Sequence, residues 1–167
     1  MIYEIKIYGN ESLRTVAEPI TEINEEILEI LENMVETMHE ANGVGLAAPQ
    51  VGINKRLFVI DVGDGIIRKV INPEILELSD VIESNDEGCL SVPGIYKPVR
   101  RSVHVKIKYL NENGKEVIEE ADDLLGRAFQ HEYDHLEAIL FVDKISPVAK
   151  RMVSKKLQLL KKESTKI

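Results

Sequence analysis

Two histidines four residues apart, His131 and His135 in QHEYDHLEAILF, constrain this chain more than any other feature. On an α-helix, residues i and i+4 share one face, a turn apart. The pair can therefore chelate one metal ion. Glu132 is rotated by about 100° from His131 and can still reach a water on that ion, the general-base geometry of HExxH hydrolases. Two histidines do not complete such a site. A third ligand has to come from elsewhere, and the fold has to carry it to this helix.

Downstream, where many zinc proteases find that ligand, little is available. Residue 141 is Phe rather than His, and no glutamate lies between Glu137 and Glu163. Glu163 stands in a charged C-terminal end, and Asp143 lies close to the motif. Upstream is the one cysteine, Cys89 in EGCLSVPG. A single cysteine forms no intramolecular disulfide. It reads as a core residue, a nucleophile or a metal ligand. A thiolate is a soft, strong ligand, and a Cys/His/His set with one open position suits zinc or ferrous iron. The rival, a Cys–His nucleophilic pair, leaves the paired histidines and Glu132 without a purpose.

The chain has 167 residues, enough for one domain with a proper core. Its 21 basic and 29 acidic residues give a net charge of −8, which argues against a general nucleic-acid binder and against specific DNA binding. No long apolar run suggests a membrane span, and MIYEIKIYGNESLR lacks the marks of a signal peptide. A cytoplasmic location is expected.

Residues 24–42 carry a helical stripe of Ile27, Leu31, Met34, Val35 and Met38, with Asn24 to cap the start and Gly43 to end it in the left-handed conformation. GVGLAAPQVG (43–52) reads as a loop whose backbone lies close to something else, and it lacks a phosphate-loop signature. RLFVIDV and KVINPEI read as strands around a GDG turn. SNDEGCLSVPGIYKPVR is rich in turn residues. Val103, Val105, Ile107 and Tyr109 alternate with polar residues, and NENG at 111–114 signals a hairpin to KEVIEEA. His104, on the polar face, reads as solvated, and His39 as a surface or capping residue. Asp122 or Asp123 can cap a helix over about 124–137. Ser146-Pro147 opens another, over about 147–163, with an apolar stripe of Ala149, Met152, Val153, Leu157 and Leu160. Its other face is basic, which reads either as solvated or as a docking surface for an anionic partner. The fold class expected is α+β: one domain, residues 1–167, with antiparallel sheets around a central HExxH helix and a helix near each end.

Three segments, GVGLAAPQ (43–50), EGCLS (87–91) and QHEYDHL (130–136), resemble the signatures of peptide deformylases in the same order and with similar spacing. LRTVAEPI and ILFVDKISP extend the resemblance over essentially the whole chain. It implies removal of the N-formyl group from the formyl-methionine of new polypeptides, with release of formate. It implies one divalent ion on Cys89, His131 and His135, natively Fe2+, with Zn2+, Ni2+ or Co2+ as substitutes. Glu132 would be general base and then general acid. The Gln50 side chain and the Leu90 backbone N–H would hold the oxyanion. Backbone near Val44 and Gly45 would pair with the extended substrate, as edge strands do. Gly88 would contact the substrate and Leu124 and Ala128 would border the methionine pocket, with Ile95 and Tyr96 as weaker candidates; core packing is the alternative for all four side chains. Glu87 would pair with Arg101 behind the ligand loop, where the alternative is an exposed arginine. The basic last helix resembles the segment by which bacterial members approach the ribosome.

The chain departs from the family in places. Ala138 stands where glycine is common, which suggests a different exit from the helix, and Gly9-Asn10 replaces a Pro-Asp. No long insertion separates the first two segments, as in the compact bacterial or organellar type. Two other functions compete: a metallopeptidase using the same helix, and a metal-bound but idle ribosome-associated protein.

Overall fold

The computed structural model describes residues 1–164. Its centre is the strand Leu57–Ile60, in which all four residues are buried. A strand that is apolar on both faces needs cover on both. Leu57 and Val59 face the first helix, α1 (Glu25–Glu40), through Leu31, Met34 and Met38. Phe58 and Ile60 face the second, α2 (Asp123–Leu136), through Phe129 and Leu136.

We label the strands β1 (Gly45–Ala47), β2 (Leu57–Ile60), β3 (Arg68–Leu78), β4 (Ile82–Cys89), β5 (Val92–Ser102), β6 (His104–Leu110) and β7 (Glu116–Asp122). Five of them form an antiparallel sheet in the order β1-β2-β3-β6-β7. β4 and β5 form a separate ribbon. The third helix, α3 (Pro147–Ser164), packs Ala149, Val153 and Leu157 against Val92, Ile95 and Val99 of the ribbon. The fold is the expected α+β arrangement, with the HExxH helix between sheet and ribbon.

Several local expectations change. Asn42, not Gly43, takes the left-handed position after α1, at φ 57°. Gly43 N–H then bonds Met38 C=O and Asn42 N–H bonds His39 C=O, the paired bonds of a Schellman end. The 43–52 loop contains strand β1 and a 3-10 turn at Ala48–Val51. The turn-rich stretch 84–100 is mostly the ribbon. β4 is polar and largely exposed, so it carries no hydrophobic alternation to read. β3 bulges at Asn72-Pro73, where Asn72 sits at φ 51° and its amide bonds both the N–H and C=O of Ile20.

Asp122 precedes α2 without a side-chain cap, because its carboxylate bonds His104 at 2.6 Å; Asp123 is helical but at φ 51°. His104 is thus ion-paired at the surface, with Glu120 at 3.1 Å as well. His39 is exposed and bonds Asp61. Ser146 caps α3 as expected, accepting from Ala149 N–H. Met152 is exposed and outside the helix's buried stripe. Ala138 adopts the exit that glycine would take. At φ 62°, its N–H bonds His135 C=O and the next N–H bonds Asp134 C=O.

Candidate metal centre

Cys89 ends β4 and is followed by Leu90 and Ser91, a two-residue turn into Val92. α2 crosses beneath this turn and presents His131 and His135 from successive turns, ring centroids 5.0 Å apart. The sulfur lies 3.4 Å from His135 Nε2. Ligand atoms of Cys89, His131 and His135 all lie within 4.8 Å of one another, the one such cluster among the described residues. Asp143, the downstream alternative, is bound to Arg14 instead.

The orientation of His131 is fixed from behind. Its Nδ1 lies 2.9 Å from Glu87 Oε1. Burial works against a charge on Glu87, but hydrogen bonds from Arg101 and His131 more than reverse it and hold the carboxyl well below its usual range. Glu87 therefore accepts and Nδ1 donates, which leaves Nε2 free to ligate. Arg101, buried, bonds both Glu87 oxygens at 2.8 and 2.9 Å and reaches Asp134 with its remaining arm. The Glu87–Arg101 pair is thus present, and the exposed-arginine alternative is not.

Glu132 is buried, and burial pushes its carboxyl up to about 7. Its Oε1 has no hydrogen-bond partner among the described residues. A buried acceptor without a partner costs about 1–3 kcal/mol. Its Oε2 lies against β1. A Cβ on Gly45 would come within 2.5 Å of that oxygen, so only glycine lets the strand and the carboxylate approach this closely. For His131, burial disfavours the proton, yet the charge of Glu132 and the hydrogen bonds to Cys89 and Glu87 outweigh it and raise the imidazole well above its ordinary range. Burial and the neighbouring His131 drive His135 the other way. The acidic groups around His131 thus favour positive charge beside its ring. A cysteine sulfur, two imidazoles and this field fit a divalent cation.

Gln50 is buried in the 3-10 turn after β1. Its Oε1 accepts from Ala47 N–H, which turns Nε2 toward Cys89 Sγ at 3.4 Å and Ser91 Oγ at 3.1 Å. A cavity of about 410 Å³ opens here, bordered by Val44, Gly45, Gln50, Gly88, Leu90, Leu124, Ala128 and Glu132. β1 is an edge strand beside it. Tyr96 is exposed with its ring over Gly88, at the cavity, whereas Ile95 is a core residue away from it. Sequence reasoning missed Ser91, Asp134 and Arg127. Arg127 bonds Glu87 at 2.6 Å and sits one turn before His131, the only signal that pointed to it.

An HExxH helix set in an α+β scaffold, with a cysteine sulfur beside its two histidines and a cleft along an edge strand, is the arrangement of a metal-dependent hydrolase. The family model for polypeptide deformylase matches residues 2–151. A peptide deformylase of Fusobacterium nucleatum is 54% identical over 169 aligned positions, covering 100% of this chain and 97% of that protein. The crystal structure of peptide deformylase from Thermotoga maritima shares 48% identity at a TM-score of 0.85, covering 88% of this chain and 99% of the other. That of a Synechococcus elongatus peptide deformylase in complex with actinonin shares 39% at a TM-score of 0.88, covering 92% and 87%. The chain belongs to the polypeptide deformylase family.

Proposed function

We propose that this enzyme removes the N-formyl group of new polypeptides at the cleft beside Cys89, with one divalent ion held by Cys89, His131 and His135 and with Glu132 moving the protons. The observation that carries the reading is the cluster of three ligand atoms within 4.8 Å beside a buried, unpartnered Glu132 oxygen. The donor set accepts ferrous iron, zinc, nickel or cobalt, and the family resemblance makes ferrous iron the native ion. When bound, the ion supplies Lewis acidity, which lowers the pKa of a water and polarises a carbonyl oxygen.

The protein's own residues do the rest. The formylated N-terminus lies extended along β1 and pairs with backbone at Val44 and Gly45, so recognition reads main chain and accepts many sequences. The methionine side chain enters the apolar space by Gly88, Leu124 and Ala128. Glu132, with its carboxyl at about 7, takes a proton from the attacking water as the water oxygen bonds to the formyl carbon. The Gln50 amide and the Leu90 N–H donate to the oxygen that gains charge. Glu132 then returns the proton to the amine nitrogen, the C–N bond breaks, and formate and a free N-terminus leave.

Anaerobically prepared enzyme given formyl-Met-Ala-Ser releases formate and leaves Met-Ala-Ser intact. Cleavage between residues of the unformylated peptide would support a peptidase, and no product from either would support an idle protein.

No described helix is long and apolar enough to cross a membrane. We place the reaction in the cytoplasm, with α3 as a ribosome contact. Arg151, Lys155 and Lys156 are exposed on it. Because Val153 and Leu157 are core residues, truncation would damage the fold; reversing Lys155 and Lys156 to Glu is the cleaner test. Salt-sensitive cosedimentation with ribosomes is expected and is lost in that variant; unchanged cosedimentation would exclude the role.

A further inference from the structure

Arg127 connects the three elements that build the metal site. It projects from α2 and its Nη1 donates to Glu87 Oε2 at 2.6 Å and to Val99 C=O of β5 at 3.0 Å. Its Nη2 donates to Glu83 C=O of β4 at 2.9 Å. The same helix carries His131 one turn later, and the same ribbon carries Cys89 at its end. The side chain is only 13% exposed, although it borders the cleft.

Glu87 therefore accepts four donors. Oε1 takes Arg101 Nη2 and His131 Nδ1; Oε2 takes Arg101 Nε and Arg127 Nη1. Arg101 lies on β5, so its bonds tie Glu87 to the ribbon's other strand. Arg127 ties Glu87 to the histidine helix as well as tying both ribbon strands to that helix. A sub-ångström slide of ribbon against helix would change the sulfur-to-imidazole spacing on which a chelate depends.

We propose that Arg127 is a positioning residue for the metal site, acting through Glu87 on His131 and holding the Cys89 ribbon in register with α2. The inference rests on the ligand assignment above. It touches no reacting atom, so its effect is on how tightly and in what geometry the ion is held.

The test is chelator competition with cobalt(II) as probe, read by the thiolate-to-cobalt absorption of the full chain. Arg127→Met and Arg127→Gln each lower cobalt affinity by about 10–100-fold, the usual cost of losing a group behind a ligand, and shift the absorption band. Arg127→Lys, which keeps charge beside Glu87, recovers much of the loss. Glu87→Gln lowers affinity too, and in that background Arg127→Met costs less than it does alone, the remainder coming from its bonds to Val99 and Glu83. Wild-type affinity and spectrum in both neutral variants would overturn the inference, as would losses that multiply in the double variant. A wild-type protein that takes up no cobalt would overturn the ligand assignment instead. Far-ultraviolet circular dichroism confirms that each variant compared is folded, and the glutamine variant carries the test if the methionine one is not.

Discussion

Replacing Ala138 with glycine is expected to stabilise the enzyme without changing its turnover. Ala138 holds φ 62° at the end of α2, where the turn is fixed by bonds from residues 138 and 139 to the carbonyls of His135 and Asp134 at 3.2 and 2.9 Å. Its own carbonyl accepts from Arg14. The left-handed conformation costs an L-residue about 1–2 kcal/mol. Glycine removes that cost but adds roughly 0.4–1 kcal/mol of freedom to the unfolded chain. The central values leave a gain of about 0.8 kcal/mol, and at about 2–4 °C per kcal/mol for a domain of this size the Tm rises by roughly 2–3 °C. Differential scanning calorimetry on metal-loaded protein measures it. Ala138→Val is the counter-experiment: a β-branched residue tolerates this region poorly, so its Tm falls. A glycine variant with unchanged or lower Tm would refute the strain argument, because the exit would then cost alanine nothing.

Gly45→Ala places a Cβ within 2.5 Å of Glu132 Oε2, so turnover should fall on the order of 100-fold, as for a catalytic group displaced by about 1 Å, while the metal is kept; steady-state rates beside metal content per chain decide it. His104, bonded to Asp122 and then to Glu120, has its pKa raised. The group favours folding below its ordinary value of about 6.5, and that contribution fades as pH rises through the raised value. His104→Ala should therefore lower Tm at pH 6 and leave it nearly unchanged at pH 9; an equal deficit at both would contradict the pairing.

The candidate ligands were legible because their chemistry is local or singular. Two histidines at helical spacing announce a chelate, and one cysteine leaves little choice of thiolate. α1, β6 and β7 were legible from periodicity and turn residues. The ribbon was not, because β4 is solvated on both faces and its hydrogen bonds leave no trace in hydrophobicity. β1 was hidden by its three-residue length and by a glycine that is there for Glu132 rather than for a turn. Arg127 and Asp134 act through long-range ion pairs, and only Arg127's place one turn before His131 hinted at either. Ala138 misled in a different way: the residue type argued for a new helix exit, but the bonds closing the turn hold the left-handed one in spite of its Cβ.

In the proposed reaction Cys89, His131 and His135 hold the ion while Glu132 moves the proton. Metal content and formate release, measured together on Glu132→Ala purified without oxygen, test it most directly. The expected result is one ion per chain, as in the wild type, and almost no formate from formyl-Met-Ala-Ser. Wild-type turnover in this variant would remove Glu132 from the chemistry, and loss of the ion would make Glu132 a part of the metal site itself.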